Sequence, residues 1–516
     1  MSSRILRTSL LLVVPCLLAC LTAQTPLSLD VVGGTMAGRL SLDLAPGLYP
    51  FETCFILTGI TAGPTPLALL DPSDPRSVSV GTSTLSNSFF GFLGIDGHFR
   101  VGPFAIPSLP ALVDAGFFFQ GITFPGTQTF VDRISNPAAI RMGTLGTFRD
   151  RGVYLTFDRA FATVLSRADR RWLVTGGGRG ALLAQVATSA TEIYDDVTDA
   201  FLPGPPMVAP RSIHTMTELR DGRTLFVGGV DNLNDPQASC EIYNPATDTF
   251  TAIAPMISPR AGHTATLLPD GRVFVAGGLA NITVLPSAVY AIFDTTSTTE
   301  IYNPANNTWT AGPNMRTPRA GQAAILRPDG RVLLAGGVSF DDFIILRLPA
   351  VRNTTEIYNP ATNTTSVGPS MVTAHSLVDP VPLGSDRYLI PGGISALSLA
   401  SPGTSSTACE VYNALANTFT AVGSMATARV NQRSFPLDSS RFICVGGGNG
   451  TLLAPIALAT SEIFDAVTST WSPGPALTVP RAAPAMFRSS RGQVHFIGGG
   501  TANGAIATSS EFHFSF

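Results

Sequence analysis

Glu300-Ile301-Tyr302-Asn303-Pro304, then Trp309, Met315, Pro318-Arg319, Asp329-Gly330 and finally Gly336-Gly337: this spacing decides the fold, because it recurs along the chain. The glutamate-led triplet returns as Glu192-Ile193-Tyr194, Glu241-Ile242-Tyr243, Glu356-Ile357-Tyr358, Glu410-Val411-Tyr412 and Glu462-Ile463-Phe464, with a partial copy at Glu511-Phe512-His513. Glycine pairs begin at Gly176, Gly228, Gly277, Gly336, Gly392, Gly446 and Gly498. From each of the six full triplets to the next glycine pair the distance is always 36 residues, whereas 13 to 23 residues lead from a pair to the next glutamate. Length variation is therefore confined to one connection per unit.

Inside the constant stretch an aromatic residue recurs as Phe201, Phe250, Trp309, Phe419 and Trp471, with Thr365 as the exception. Met207, Met256, Met315, Met371 and Met425 follow, with Leu477 in the sixth copy. Four residues further on stand Arg211, Arg260, Arg319, Arg429 and Arg481, with His375 substituting once, and Arg159 opens the first unit. The unit reads as four short antiparallel strands, A to D. In the third copy strand A lies near His263 to Leu268 and strand B near Arg272 to Ala276, joined at Asp270-Gly271, a type I′ hairpin signal. Strand C holds Thr299 to Tyr302 and strand D Thr308 to Ala311. Four strands per period is one blade of a propeller.

The repeat, a strand ending in Gly-Gly, a strand ending in Tyr-Asn-Pro, an aromatic and a Pro-Arg pair, resembles the Kelch repeat and covers roughly Arg159 to Phe516. The expected fold is all-β: a seven-bladed Kelch β-propeller over 144–516, preceded by a small β-sandwich-like domain over 24–143. The seventh copy stops just after strand C, and an open sheet edge invites aggregation. An N-terminal strand near Gly146 to Thr156 is predicted to complete it by pairing with Glu511 to Phe514.

Composition agrees. The chain of 516 residues is too long for one ordinary core, only 13% of it is charged, and it holds 50 Gly and 40 Pro, which suits short strands and tight turns. A net charge of -3 provides no field to hold a polyanion, so no nucleic-acid partner is expected. All 32 basic residues are arginine, which excludes lysine Schiff-base and P-loop chemistry. Arg4, Arg7 and the apolar run Leu10 to Leu18 have the layout of a signal peptide over 1–23, which places the mature protein outside the cytoplasm, in the extracellular or periplasmic space. Leu17-Leu18-Ala19-Cys20 also reads as a lipobox with Cys20 lipid-anchored; cleavage after Ala23 is the competing reading. No later stretch is long and apolar enough to span a membrane. Cys54, Cys240, Cys409 and Cys444 remain, too few for a disulfide scaffold.

The resemblance also implies an enzymatic alternative, a secreted carbohydrate-active or copper-radical oxidase-like enzyme, because galactose oxidase and glyoxal oxidase use the same scaffold. Their copper needs two histidines and two tyrosines, one of them cross-linked to cysteine. Here His214 and His263 share one repeat position, His375 fills the arginine position and five tyrosines are repeat residues. His98, His495, His513, Tyr49, Tyr154, Tyr290 and Tyr388 are left, with no adjacent pair. The sequence predicts no catalytic residue, no metal site and no cofactor. The repeat glutamates are expected to pair with the repeat arginines, since a scaffold repeats whereas catalysis needs asymmetry.

What the sequence favours is a binding module for an extracellular protein or glycan. In a four-stranded meander the B–C and D–A connections share one face, and the B–C connections carry all the variation, which is where binding diversity resides on a rigid scaffold. The two longest belong to neighbouring blades and contain Tyr290 and Phe293, and Phe340, Asp341, Asp342, Phe343 and Arg347, the candidate binding residues.

Overall fold

The computed structural model describes residues 28–33, 39–45, 53–59, 62–66, 77–80, 89–92, 98–105, 116–124, 134–141, 147–167, 169, 171–180, 186–195, 198, 200–284, 291–343, 346–398, 401–451, 455–489, 493–501 and 509–513. The expected signal peptide lies outside them. Every regular element among them is a strand. The chain divides into two compact units: Met1–Val31, Ser41–Phe104 and Gly116–Ile140 form the first, and Val32–Leu40, Ala105–Ala115 and Arg141–Phe516 the second.

The first unit is built on two main sheets. One has the order Ser28–Gly33, Arg39–Ala45, Phe99–Ala105; the other has the order Phe89–Phe92, Thr53–Gly59, Gly116–Phe124, Ile134–Arg141. Alternating residues of Arg39–Ala45 point inward, so Leu42 and Leu44 are buried, and Ile56, opposite Gly121, shares the face that Leu44 meets. The sheets press face to face at a glycine: a methyl on Gly121 would lie 2.2 Å from Leu44 Cδ1.

The second unit contains seven four-stranded antiparallel sheets. In the third, Thr264–Leu267, Val273–Ala276, Thr299–Asn303 and Thr308–Ala311 follow one another as strands A to D. Its register places Ala276 opposite Thr299 and Tyr302 opposite Trp309. Strand B is a continuous apolar run because both of its faces are covered. Val273 and Val275 join a core cluster with Leu225 and Val227 of the preceding sheet, whereas Phe274 and Ala276 join one with Val332 and Leu334 of the following sheet. The period of two thus ties each sheet to both neighbours.

The A–B turn differs from the expected type I′. Gly271 N–H donates to the Leu268 carbonyl at 2.9 Å, and of the dipeptide Gly271 alone has positive φ. Pro269 holds its φ negative, which makes Pro269-Asp270-Gly271 a three-residue loop with a left-handed glycine at its end. Two consecutive left-handed residues occur instead at Ser385-Asp386 in the fifth sheet, with φ of 50° and 56°.

The sheets close into a ring through the glycine pairs. The second glycine of each pair donates its N–H to the carbonyl of the arginine-position residue of the next unit: Gly177 to Arg211, Gly229 to Arg260, Gly278 to Arg319, Gly337 to His375, Gly393 to Arg429 and Gly447 to Arg481. The seventh link, Gly499 to Arg159 at 2.9 Å, returns to the first unit. Both glycines are left-handed at every pair, and a methyl on Gly177 would lie 2.7 Å from the Ala160 carbonyl oxygen, so no side chain fits. Nearer the axis runs a second series: Phe161 N–H donates to Ala483 O, Ala483 to Asn431, Leu377 to Gly321, Gly321 to Gly262 and Gly262 to Ile213. All these residues have φ between 50° and 61°.

The last sheet is completed as the sequence implied. Phe148–Tyr154 pairs antiparallel with Ser509–His513, with Asp150 opposite Glu511. The first strand of the ring and its last therefore share one sheet, which covers the edge of Ser509–His513.

Candidate functional site

Among the described residues, five of the variable B–C connections are hairpins rather than loops. Leu279–Val284 pairs with Ala291–Thr295, Val338–Phe343 with Leu346–Val351, Ile394–Ser398 with Ser401–Ser405, Gly448–Gly450 with Pro455–Ala457, and Gly178–Arg179 with Val186–Ala187. Four successive hairpins touch in series, from the third unit to the sixth. Phe340 N–H donates to Thr295 Oγ1 at 3.4 Å, and Ser405 Oγ donates to Asn449 Oδ1 at 3.0 Å. The connections thus stand as a wall of extended chain on one face, each braced by the next.

Of the residues singled out from the sequence, Tyr290 lies outside the described residues. Phe293 is in Ala291–Thr295, opposite Ile282. Phe340, Asp341, Asp342 and Phe343 are consecutive in one strand, and Arg347 stands opposite Asp342 on its partner. Phe340 is half-buried. The strands of Phe293 and Phe340 adjoin, so the two longest connections form one continuous surface. Sequence reasoning took these segments as loops because they carry the length variation between units; their pairing depends on a neighbouring hairpin to lean on.

The repeat carboxylates are structural. Arg260 donates to Glu300 at 2.6 Å, to the Gly277 carbonyl at 2.8 Å and to the Thr298 carbonyl at 3.0 Å. Arg159–Glu192 at 2.8 Å, Arg211–Glu241 at 2.7 Å, Arg319–Glu356 at 3.0 Å and Arg429–Glu462 at 3.0 Å repeat the pairing. The second carboxylate oxygen of Glu300 accepts the Ile257 N–H at 2.7 Å, so this carboxylate is saturated by protein. Burial pushes the Arg260 guanidinium below its ordinary range while Glu300 holds it up. His375 takes the arginine's place in the fifth unit, its Nε2 3.0 Å from Glu410 Oε1.

Other reactive groups are equally committed. His214 Nε2 bonds Thr163 Oγ1 at 3.1 Å and His263 Nε2 bonds Thr215 Oγ1 at 2.9 Å, each reaching into the preceding sheet. Burial, with help from Arg211, pushes His214 down to about 3, and burial together with Arg260 lowers His263 as well. Cys54, Cys240, Cys409 and Cys444 are buried free thiols. Burial raises Cys240 and Cys409 to about 12 and Cys444 to about 11, far from a nucleophilic thiolate. Among the described residues no three His, Cys, Asp or Glu side chains come together as a metal would require.

A cavity of about 590 Å³ lies at the inner strands of five of the seven sheets. Val164, Met216, Phe435, Met486 and Phe487 make most of its wall apolar, with Asp379, Arg433 and Arg488 as its charged members. Sequence reasoning missed it. The available signal was a break in the repeat: four residues after the arginine position stand Thr163, Thr215, Thr264, Ala323 and Ala485, but Asp379 and Arg433 in the fifth and sixth units.

These features define an all-β propeller built from Kelch-type units. Residues 221–257 match the Kelch motif. Among solved structures, the chain is similar to that of a novel fungal alcohol oxidase of the AA5 family in complex with copper, at 17% identity and a TM-score of 0.54, over 72% of this chain and 76% of that one. It is also similar to the structure of YjhT, at 15% identity and a TM-score of 0.44, over 60% of this chain and 96% of that one. At such identities the likeness to the oxidase is one of fold alone. No curated protein sequence matches the chain. No helix among the described residues is long and apolar enough to cross a membrane.

Proposed function

We propose that this protein is an extracytoplasmic, non-catalytic binding module that recognises a protein or glycan through the face bearing its B–C hairpins. One observation carries the reading: the variable part of an otherwise constant repeat forms, in four successive units, a connected series of hairpins on a ring whose repeat glutamates face the repeat arginines or His375. Phe293, Phe340, Phe343, Asp341, Asp342 and Arg347 would supply apolar contact rimmed by charge, the composition of a recognition patch. Export rests on the N-terminal segment, with Cys20 as the lipid-anchored form.

The test replaces Phe340–Leu346 by a two-residue Asn-Gly turn and compares both proteins on a glycan panel and against surface proteins of the producing cell. Loss of a specific interaction with unchanged melting supports the reading. An interaction fully retained after the replacement, or copper found at one per chain in the purified protein, overturns it.

A further inference from the structure

The axial cavity is independent of the hairpin face. Its wall is formed by Ala162, Thr163, Val164, Met216, Pro380, Val381, Phe435, Met486 and Phe487 among others, so it is mostly hydrocarbon. At about 590 Å³ it falls within the roughly 300–1,000 Å³ that small-molecule sites occupy. Two methionines give it an adaptable lining suited to a flexible chain.

Its charge is placed rather than scattered. The register position that holds a small neutral residue in five units holds Asp379 and Arg433 in two neighbouring ones. Arg433 Nη1 donates to Asp379 Oδ2 at 2.5 Å and its Nε donates to the Pro484 carbonyl at 2.8 Å, which ties the fifth, sixth and seventh units. The guanidinium is thus held by two protein bonds, and its Nη2 has no partner among the described residues. Its side chain is 28% exposed, so the fixed group still meets solvent. Arg488, from the seventh unit, also lines the cavity. A scaffold would repeat such a pair; this one occurs once, at the cavity.

We propose that this cavity binds a small amphiphilic anion, an apolar chain or ring carrying one carboxylate, with the carboxylate on Arg433 and the hydrocarbon against Met216, Phe435 and Met486. A charge-assisted bond from a preorganised guanidinium is the strong polar contact, and burial of the chain supplies the rest.

Trp172 stacks on Phe487, ring centroids 5.0 Å apart, so occupancy of the cavity reaches an intrinsic fluorophore. The experiment titrates the full chain with octanoate and, separately, with octanol, following tryptophan fluorescence and calorimetric heat. Expected is saturable binding of one octanoate per chain, about tenfold tighter than octanol, a difference that Arg433→Met abolishes. Met216→Trp, which fills the cavity without touching the charges, should abolish both. Absence of saturable binding by the unmodified protein overturns the site, and equal affinity for octanoate and octanol overturns the anion. Octanoate binding that survives Met216→Trp in a folded protein places the ligand elsewhere and overturns the assignment. The unmodified protein decides the first two even if a variant fails to fold, and none of these outcomes depends on the hairpin face.

Discussion

His375 stands against Glu410 where every neighbouring unit has an arginine: Nε2 lies 3.0 Å from Oε1, and Nδ1 donates to the Gly392 carbonyl at 2.6 Å. The imidazole reproduces the arginine's bond to the glycine-pair carbonyl, but its Nε2 also meets Thr373 Oγ1 at 2.6 Å and leaves Glu410 Oε1 without a hydrogen bond. It makes no counterpart of the arginine's bond to the carbonyl two residues before the glutamate, seen at Thr298 and Thr354. Both side chains are at most 1% exposed, so the carboxylate relies on protein alone for its partners. His375→Arg is therefore expected to raise stability by about 1 kcal/mol, the worth of one added charged hydrogen bond. His375→Ala should lower it by about 3 kcal/mol by stranding Glu410. Urea unfolding midpoints measure both.

Arg260 is the reference for that comparison. Its side chain is 0% exposed and it holds four acceptors at once: Glu300 Oε1, the Gly277 and Thr298 carbonyls and Thr298 Oγ1. Arg260→Ala should cost about 3–5 kcal/mol, because Glu300 and two carbonyls lose their donor in a site water does not reach. A melting temperature unchanged by the substitution would show that the pair does not contribute to folding.

The buried histidines set a pH dependence. A histidine held down near 3 stays neutral in the folded chain, while in the unfolded chain it takes up a proton below its ordinary 6.5. Below 6.5 the unfolded state then binds more protons than the folded one, so stability falls with pH, by roughly 1.4 kcal/mol per pH unit for each such histidine. His214 loses its stabilising contribution from 6.5 down to about 3, and His263 acts in the same direction. Gln322 and Gln432 occupy the same register position and hold carbonyls of the preceding sheet at 2.7 and 2.6 Å. The double variant His214→Gln, His263→Gln should fold and lose most of the slope between pH 6.5 and 4.5 in chemical unfolding. A slope that persists assigns it to the carboxylates.

Thiol titration offers a simple check on how tightly the ring is packed. With Cys240 and Cys409 raised to about 12 and Cys444 to about 11, native protein at pH 8 should react with a disulfide reagent at these positions only as fast as it unfolds. Rapid modification would mean that the sheets open locally.

How much was legible follows from what each feature depends on. The sheets, their order and the closing strand could be read because the glycine pairs and glutamates recur at constant spacing, and because a repeat that ends after strand C needs a partner strand. The A–B turn was misread because the Asp-Gly signal ignored Pro269, which enlarges the loop. The hairpins escaped because strand pairing in a short segment is decided by the neighbour it rests on, as Phe340 rests on Thr295. The cavity escaped for a more general reason. Ala162, Met216, Pro380, Phe435 and Met486 are neighbours only once the chain has closed into a circle, and periodicity reports each unit without its counterpart across the axis.

Closure itself can be tested at Phe148, whose strand precedes the first repeat yet whose side chain is 7% exposed, packed edge-on to Phe496 at 5.6 Å between ring centroids. It belongs to a core cluster with Phe435, Ile443, Val445 and Leu477, residues of the sixth unit, so it joins the first strand of the ring to the last two sheets. Phe148→Ala removes a buried aromatic and should cost about 3–5 kcal/mol. Weakening this strand also frees the edge of Ser509–His513, which is paired through Phe148–Tyr154 on that side. The variant should therefore aggregate on warming at concentrations where a core substitution of similar cost in the third sheet, such as Phe274→Ala, unfolds without assembling. Equal aggregation of the two would mean that closure by the N-terminal strand protects no edge.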